Sequence, residues 1–140
     1  MLKNYELTYT EKPDIAKEKS DLLKMSIDQR KDPFKHIKDE NLDELARFVG
    51  GIAGKTENEW TLSKNYFQGI ELILIFDKST KNIDFKYTGK NLERINNYAR
   101  DQMAIFLMNH CIRFISSKLG VKEPSIVKKI FSFNYQKSLF

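Results

Sequence analysis

Apolar and polar residues alternate at the start of the chain. From Leu2 to Thr10, Tyr5, Leu7 and Tyr9 fall on one side and Asn4, Glu6 and Thr8 on the other, a period of two that predicts a strand. Pro13 is placed to open a helix. Residues 14–30 then have helical composition, with a thin apolar stripe of Ile15, Leu22, Leu23 and Ile27. Asp32-Pro33 ends that helix, because the residue before a proline is driven out of the helical region. A second helix is expected from Leu42 to about Val49. Leu42, Leu45, Ala46 and Val49 form its apolar face, Asp39, Glu40 and Asn41 cap its positive end, and Gly50-Gly51 stops it.

The middle of the chain changes period. Ile70 to Phe76 is almost continuously apolar, which predicts a strand buried on both faces. Residues 77–82 form a polar loop of hairpin length, and Ile83 to Thr88 alternates on the way back. Trp60 to Phe67 supplies a third strand. Thr88-Gly89 breaks the sheet, and Asn91 is placed to cap a helix over 92–119. The first half of that helix turns Leu92, Ile95, Tyr98 and Ala99 inward. Its second half is apolar nearly all round, so it is covered on both sides, by the sheet and by another helix or subunit. Gly120 ends it. A short last helix starts near Pro124, with Ile126, Val127, Ile130 and Phe131 facing one way.

These elements predict one α+β domain over residues 1–140. A small antiparallel sheet of about three or four strands packs against helices, with one long central helix near 92–119. The segment 121–140, basic and aromatic, docks on that body.

Composition narrows the class. A length of 140 residues predicts a single domain, and 41% hydrophobic with 31% charged residues excludes global disorder. One cysteine excludes a disulfide framework within the chain. Cys111 lies in the apolar stretch from Met103 to Ile115, and an unpaired thiol there fits a reducing compartment. That stretch falls short of the ~20 residues of a membrane span. Met1 to Glu6 shows no charged segment followed by an apolar one, which predicts no signal peptide. The expected location is cytoplasmic.

Charge is unevenly placed. Residues 1–59 carry 11 Lys+Arg against 13 Asp+Glu, and residues 60–140 carry 13 against 6. A basic half can meet nucleic acid, an anionic surface or an acidic protein. Most of those cations are Lys, however, and specific phosphate and base recognition favours Arg.

Four patterns carry candidate chemistry. Gly50 to Thr56 ends like a P-loop, but Val49 stands where the motif needs its first glycine, and the segment follows a helix rather than a strand. Asp77 followed by Asp84-Phe85-Lys86 resembles the order of a D…(D/E)xK metal-dependent nuclease, with Glu71 as a further carboxylate. Two carboxylates would hold magnesium and the Lys would stabilise developing charge. In the hairpin, Asp84 is expected opposite Ile75 and not opposite Asp77, so the spacing is tight. His36 and His110 are the only histidines. They offer no converging ligand set, so no metal and no cofactor is expected. Finally, Lys122, Lys128, Lys129, Tyr135 and Lys137 place rings beside cations, a device for single-stranded nucleic acid. The same letters describe a tail whose Phe131 and Phe133 dock while the lysines stay wet.

No catalytic constellation is complete. The leading expectation is a small non-enzymatic binding protein that acts through a protein partner, as an inhibitor, immunity protein or adaptor does, or by self-association. Met103, Phe106, Phe114 and Phe131 are the expected contacts. The alternatives are a nucleic-acid-associated protein using the basic half, and a nuclease using Glu71, Asp77, Asp84 and Lys86.

Overall fold

The computed structural model describes residues 23–66, 69–90 and 92–127. A helical segment at 23–28 leads into a turn and a 3-10 turn over Asp32–His36, with Pro33 in its opening positions. A second 3-10 turn, Asp39–Asn41, runs into helix α1, Leu42–Val49. Four strands follow: β1 Ile52–Lys55, β2 Glu59–Tyr66, β3 Ile70–Asp77 and β4 Ile83–Thr88. After a 3-10 turn at Leu92–Arg94 comes the long helix α2, Asn97–Leu119, and a helical turn at 125–127. The sheet is a meander in chain order, β1-β2-β3-β4, antiparallel throughout.

The core lies on one side of this sheet. Trp60 and Leu62 from β2, Ile70, Leu72, Leu74 and Phe76 from β3, and Ile83 from β4 point into it. They meet Leu45 and Val49 of α1, and Leu107, Cys111 and Phe114 of α2. Trp60 stacks between Phe76 (5.1 Å between ring centroids) and Phe34 (6.4 Å), which ties the 3-10 turn to the sheet. One polar pair is sealed into the interior: Arg30 Nε donates to Asn109 Oδ1 at 3.0 Å, and Arg30 Nη1 to the Ser26 carbonyl at 2.9 Å.

Several expectations are corrected. β3 is buried on one face only: Ile70, Leu72, Leu74 and Phe76 are enclosed, while Glu71, Ile73, Ile75 and Asp77 are partly exposed. A run of Ile and Leu satisfies a one-sided sheet as well as a two-sided one, because β-branched residues also suit a half-solvated pleat. Asn41 takes the N-cap position of α1, but its side chain makes no capping bond to that helix; Asp39, Glu40 and Asn41 form their own turn, in which Asn41 Oδ1 accepts from the Lys38 N–H at 2.9 Å. The long helix starts later than expected. Asn96, not Asn91, caps it, accepting from the Ala99 N–H at 2.8 Å. Tyr98 consequently turns outward, 59% exposed. The expected strand at 2–10, the start of the first helix and the docking of Phe131 and Phe133 fall outside the described residues.

The P-loop-like segment Gly50 to Thr56 contains the edge strand β1. Three separate steric needs produce that spelling. Gly50 closes α1 in the left-handed region, φ 75°, where a Cβ is disfavoured. Gly51 lies so close to β2 that a Cβ would sit 2.4 Å from the Ser63 carbonyl oxygen. Gly54, paired with Thr61, leaves 3.0 Å to that hydroxyl. The P-loop likeness is thus a helix stop followed by an edge strand pressed against its neighbour.

Candidate functional site

The strand register decides which polar residues share a surface. Ser63, Ile73 and Lys86 form one cross-strand row, with Ile52 at its β1 end. Thr61, Ile75 and Asp84 form the next, and Asn65, Glu71 and Thr88 a third. Glu59 opposite Asp77 ends the face. This is the side of the sheet turned away from the core. Ile52 is 72% exposed, and Ile73 and Ile75 are half-buried between their polar neighbours. Glu59, Glu71, Asp77 and Asp84 outnumber Lys86 there, although the whole chain carries +5. The open face is therefore acidic with a β-branched strip across it.

The four residues of the nuclease reading all lie on this face but do not converge. Glu71 pairs with Thr88 and Asp84 with Ile75, four residues apart along β3, about 13 Å at ~3.3 Å per residue. Glu71 accepts from the Thr88 hydroxyl at 3.1 Å. Asp77 is engaged in the hairpin turn: Oδ1 accepts from the N–H groups of Thr80 (3.0 Å) and Ser79 (2.9 Å) and from the Ser79 hydroxyl (2.9 Å). Those bonds, the Thr80 N–H foremost, hold its carboxyl below the usual range. Lys86 stands exposed opposite Ile73. Among the described residues, no three His, Cys, Asp or Glu side chains gather to hold a metal ion.

The other expected contacts are placed differently. Met103 and Phe114 are buried within the chain and Phe106 is half-buried. The apolar second half of α2 is covered by the chain itself, with Arg113 the exposed position between Met103 and Ile115. Lys122 is exposed. Lys128, Lys129, Phe131, Tyr135 and Lys137 lie outside the described residues. The strand aromatics Trp60, Tyr66, Phe76, Phe85 and Tyr87 sit on the covered face by register, so none of them offers the open sheet a ring for base stacking.

A second cluster was not foreseen from the sequence. His110 packs edge-on to Phe48 (5.4 Å) and against Phe106 (6.2 Å). Its Nδ1 is enclosed without a hydrogen-bond partner. Lys64 reaches the Val49 carbonyl at the end of α1 and lies 5.8 Å from the Tyr66 ring. Burial, then the charges of Lys64 and Arg113, push the His110 pKa down. Burial pushes the Cys111 thiol and the Tyr66 hydroxyl up, so the free thiol is inert in the folded chain.

This corner makes stability depend on pH. The unfolded His110 binds a proton near pH 6.5, and the folded one binds it only at lower pH. Stability is therefore full above the unfolded value, falls as pH drops through it, and stops falling below the folded value. Denaturant melts from about pH 7.5 to about pH 5 should show this loss. His110→Gln should flatten it, and an unchanged slope in that variant would assign the loss elsewhere.

No helix among the described residues is long and apolar enough to cross a membrane. Cys111 is free and buried, so the chain is without a disulfide of its own. The chain matches no protein-family model, no curated protein and no solved structure.

Proposed function

We propose that this protein is a non-enzymatic binding module that acts through a protein partner, and that the open face of its sheet is the contact surface. The observation that carries this reading is the strip of Ile52, Ile73 and Ile75 on a face that no described helix covers, rimmed by Glu59, Glu71 and Asp84. An apolar centre with a charged rim is the general anatomy of a protein interface. The excess of carboxylates opposes a phosphate backbone and supports a partner with a basic contact surface. The nucleic-acid reading rests on the basic half over 60–140, and of the contacts expected for it only Lys122 lies among the described residues, exposed; the nuclease reading rests on carboxylates about 13 Å apart.

The test uses two substitutions at exposed positions, Ile52→Asp and Asp84→Lys. Size-resolved purification of the wild-type chain should give a complex with a protein in fixed ratio. Each variant should lose it, while unfolding followed by the single tryptophan, Trp60, stays within about 0.5 kcal/mol of wild type. Two results would overturn the reading. One is salt-sensitive retention of a single-stranded oligonucleotide with no protein bound. The other is magnesium-dependent cleavage of nucleic acid abolished by Asp84→Asn.

A further inference from the structure

Strand β1 ends the sheet, and its outer edge carries backbone groups in need of partners. The Thr56 N–H donates to the Glu59 carbonyl at 2.8 Å. Hydrogen-bonded and non-hydrogen-bonded pairs alternate along an antiparallel ladder. Gly54–Thr61 and Ile52–Ser63 are therefore hydrogen-bonded pairs, and Ala53 and Lys55 aim their N–H and C=O groups away from β2. Among the described residues no strand lies on that side and no hydrogen bond reaches these groups. Such an edge is a template for another strand unless charge, proline or a bulge guards it. On the open face β1 presents the opposite of a guard. Ile52 is the most exposed large apolar side chain among the described residues.

The strand is also complementary to itself. Laid antiparallel against a second copy, with Ala53 opposite Ala53, it sets Ile52 opposite Gly54 and Lys55 opposite Gly51, each pair twice by symmetry. Opposed residues share a face of the sheet, so each larger side chain meets a residue that has none. The Ala53 pair is then of the hydrogen-bonding kind and exchanges both of its bonds. The Gly51 N–H is already held by the Ala46 carbonyl at 2.8 Å, which leaves the Gly51 carbonyl to accept from the second copy's Lys55 N–H. A centre moved by one residue, to Gly54, faces glycine with glycine and Ile52 with Thr56, and loses both matches. Ile52 and Gly54 are uncharged, so two acidic faces can meet along this strand without opposed carboxylates.

We propose that β1 pairs with β1 of a second copy of this chain, about a two-fold axis at Ala53, and joins two four-stranded sheets into one. The seam lengthens the open face without covering it, so the pairing does not rest on the protein partner proposed above.

The seam is short, so the expected dimer is weak, with a Kd on the order of 10 μM. Sedimentation of the full chain from about 1 to about 500 μM should show the mass rising from one chain toward two. Ala53→Pro removes the central N–H at an edge position where the fold itself does not use it. It should raise the Kd at least about tenfold, while unfolding followed by Trp60 stays cooperative. Cysteine variants read the register. The Cα atoms of a hydrogen-bonded antiparallel pair lie about 5.5 Å apart, within disulfide reach. Ala53→Cys should therefore cross-link to its copy in oxidised glutathione. Lys55→Cys should not, because the two Lys55 positions lie about 13 Å apart along the seam. Cys111 is buried and adds no accessible thiol. Asp84→Lys, which should abolish the contact with the protein partner, should leave the dimer intact, so the two proposals fail separately. Three outcomes would overturn the pairing. One is a monomer up to about 500 μM, as when another segment or protein holds the edge. The others are a folded Ala53→Pro that dimerises like wild type, and Lys55→Cys cross-linking as fast as Ala53→Cys.

Discussion

Phe34→Ala should lower stability by about 3–5 kcal/mol, as large-to-small changes of enclosed aromatics do. Phe34 is fully buried, and its ring stacks on Trp60. Removing it takes away a ring's worth of burial and leaves a void beside the indole. The surroundings cannot close that void easily, because Trp60 is also stacked on Phe76 of the neighbouring strand. For a domain of this size the melting temperature should fall by roughly 10 °C. Trp60 is the only tryptophan, so its emission reports both the melt and the disturbance around it. A loss below about 1 kcal/mol would mean that the turn over Asp32–His36 is not part of the core that the stack implies.

The second large effect concerns Arg30. This guanidinium is fully enclosed, and its nearest side-chain partner is the neutral amide of Asn109. Burial lowers its pKa. Asn109→Leu removes the acceptor at Nε and leaves the cation with the Ser26 carbonyl. Hydrogen bonds to charged groups contribute about 1.5–3 kcal/mol, and an uncompensated buried charge costs more. We expect a loss of about 3 kcal/mol from Asn109→Leu. Arg30→Met, made in the same background, should restore most of it, because a hydrophobic replacement of the whole pair removes the desolvation cost together with the bonds. The double-mutant cycle therefore has a large coupling of restoring sign. Additive losses from the two substitutions would show that the pair does not act as a unit.

Much of the architecture could be read from the chain because local signals agreed with packing. Helix α1 combines an apolar face at Leu42, Leu45, Ala46 and Val49 with Gly50 directly after it, and both ends fall where the pattern puts them. The β3–β4 hairpin has one polar stretch between two apolar runs, and Asp84 pairs with Ile75 as its length dictates. Strand β1 could not be read this way. Gly51 just before it and Gly54 within it answer to the distance from Ser63 and Thr61, a tertiary fact without local periodicity. The start of α2 was ambiguous for a different reason: Asn91 and Asn96 offer the same capping chemistry, and only packing selects the second. The candidate surface was the least legible part. Glu59, Glu71 and Asp84 are far apart in sequence, on three strands, and become one acidic rim only through the register. The sequence-level balance pointed the opposite way, to a basic second half.

The meander order of the sheet also bears on how quickly the protein folds. Each strand pairs with the one before it in the chain, so every ladder closes a short loop and little chain entropy is lost before its contacts form. Such a sheet can assemble before α2 arrives. The nucleus implied by this order centres on β2 and β3, whose ladder runs the full length of both strands from Glu59–Asp77 to Tyr66–Ile70. Helix α2 would then dock onto a surface that already exists. Substitutions at Leu74 would slow folding, whereas substitutions at Leu107 would mainly speed unfolding.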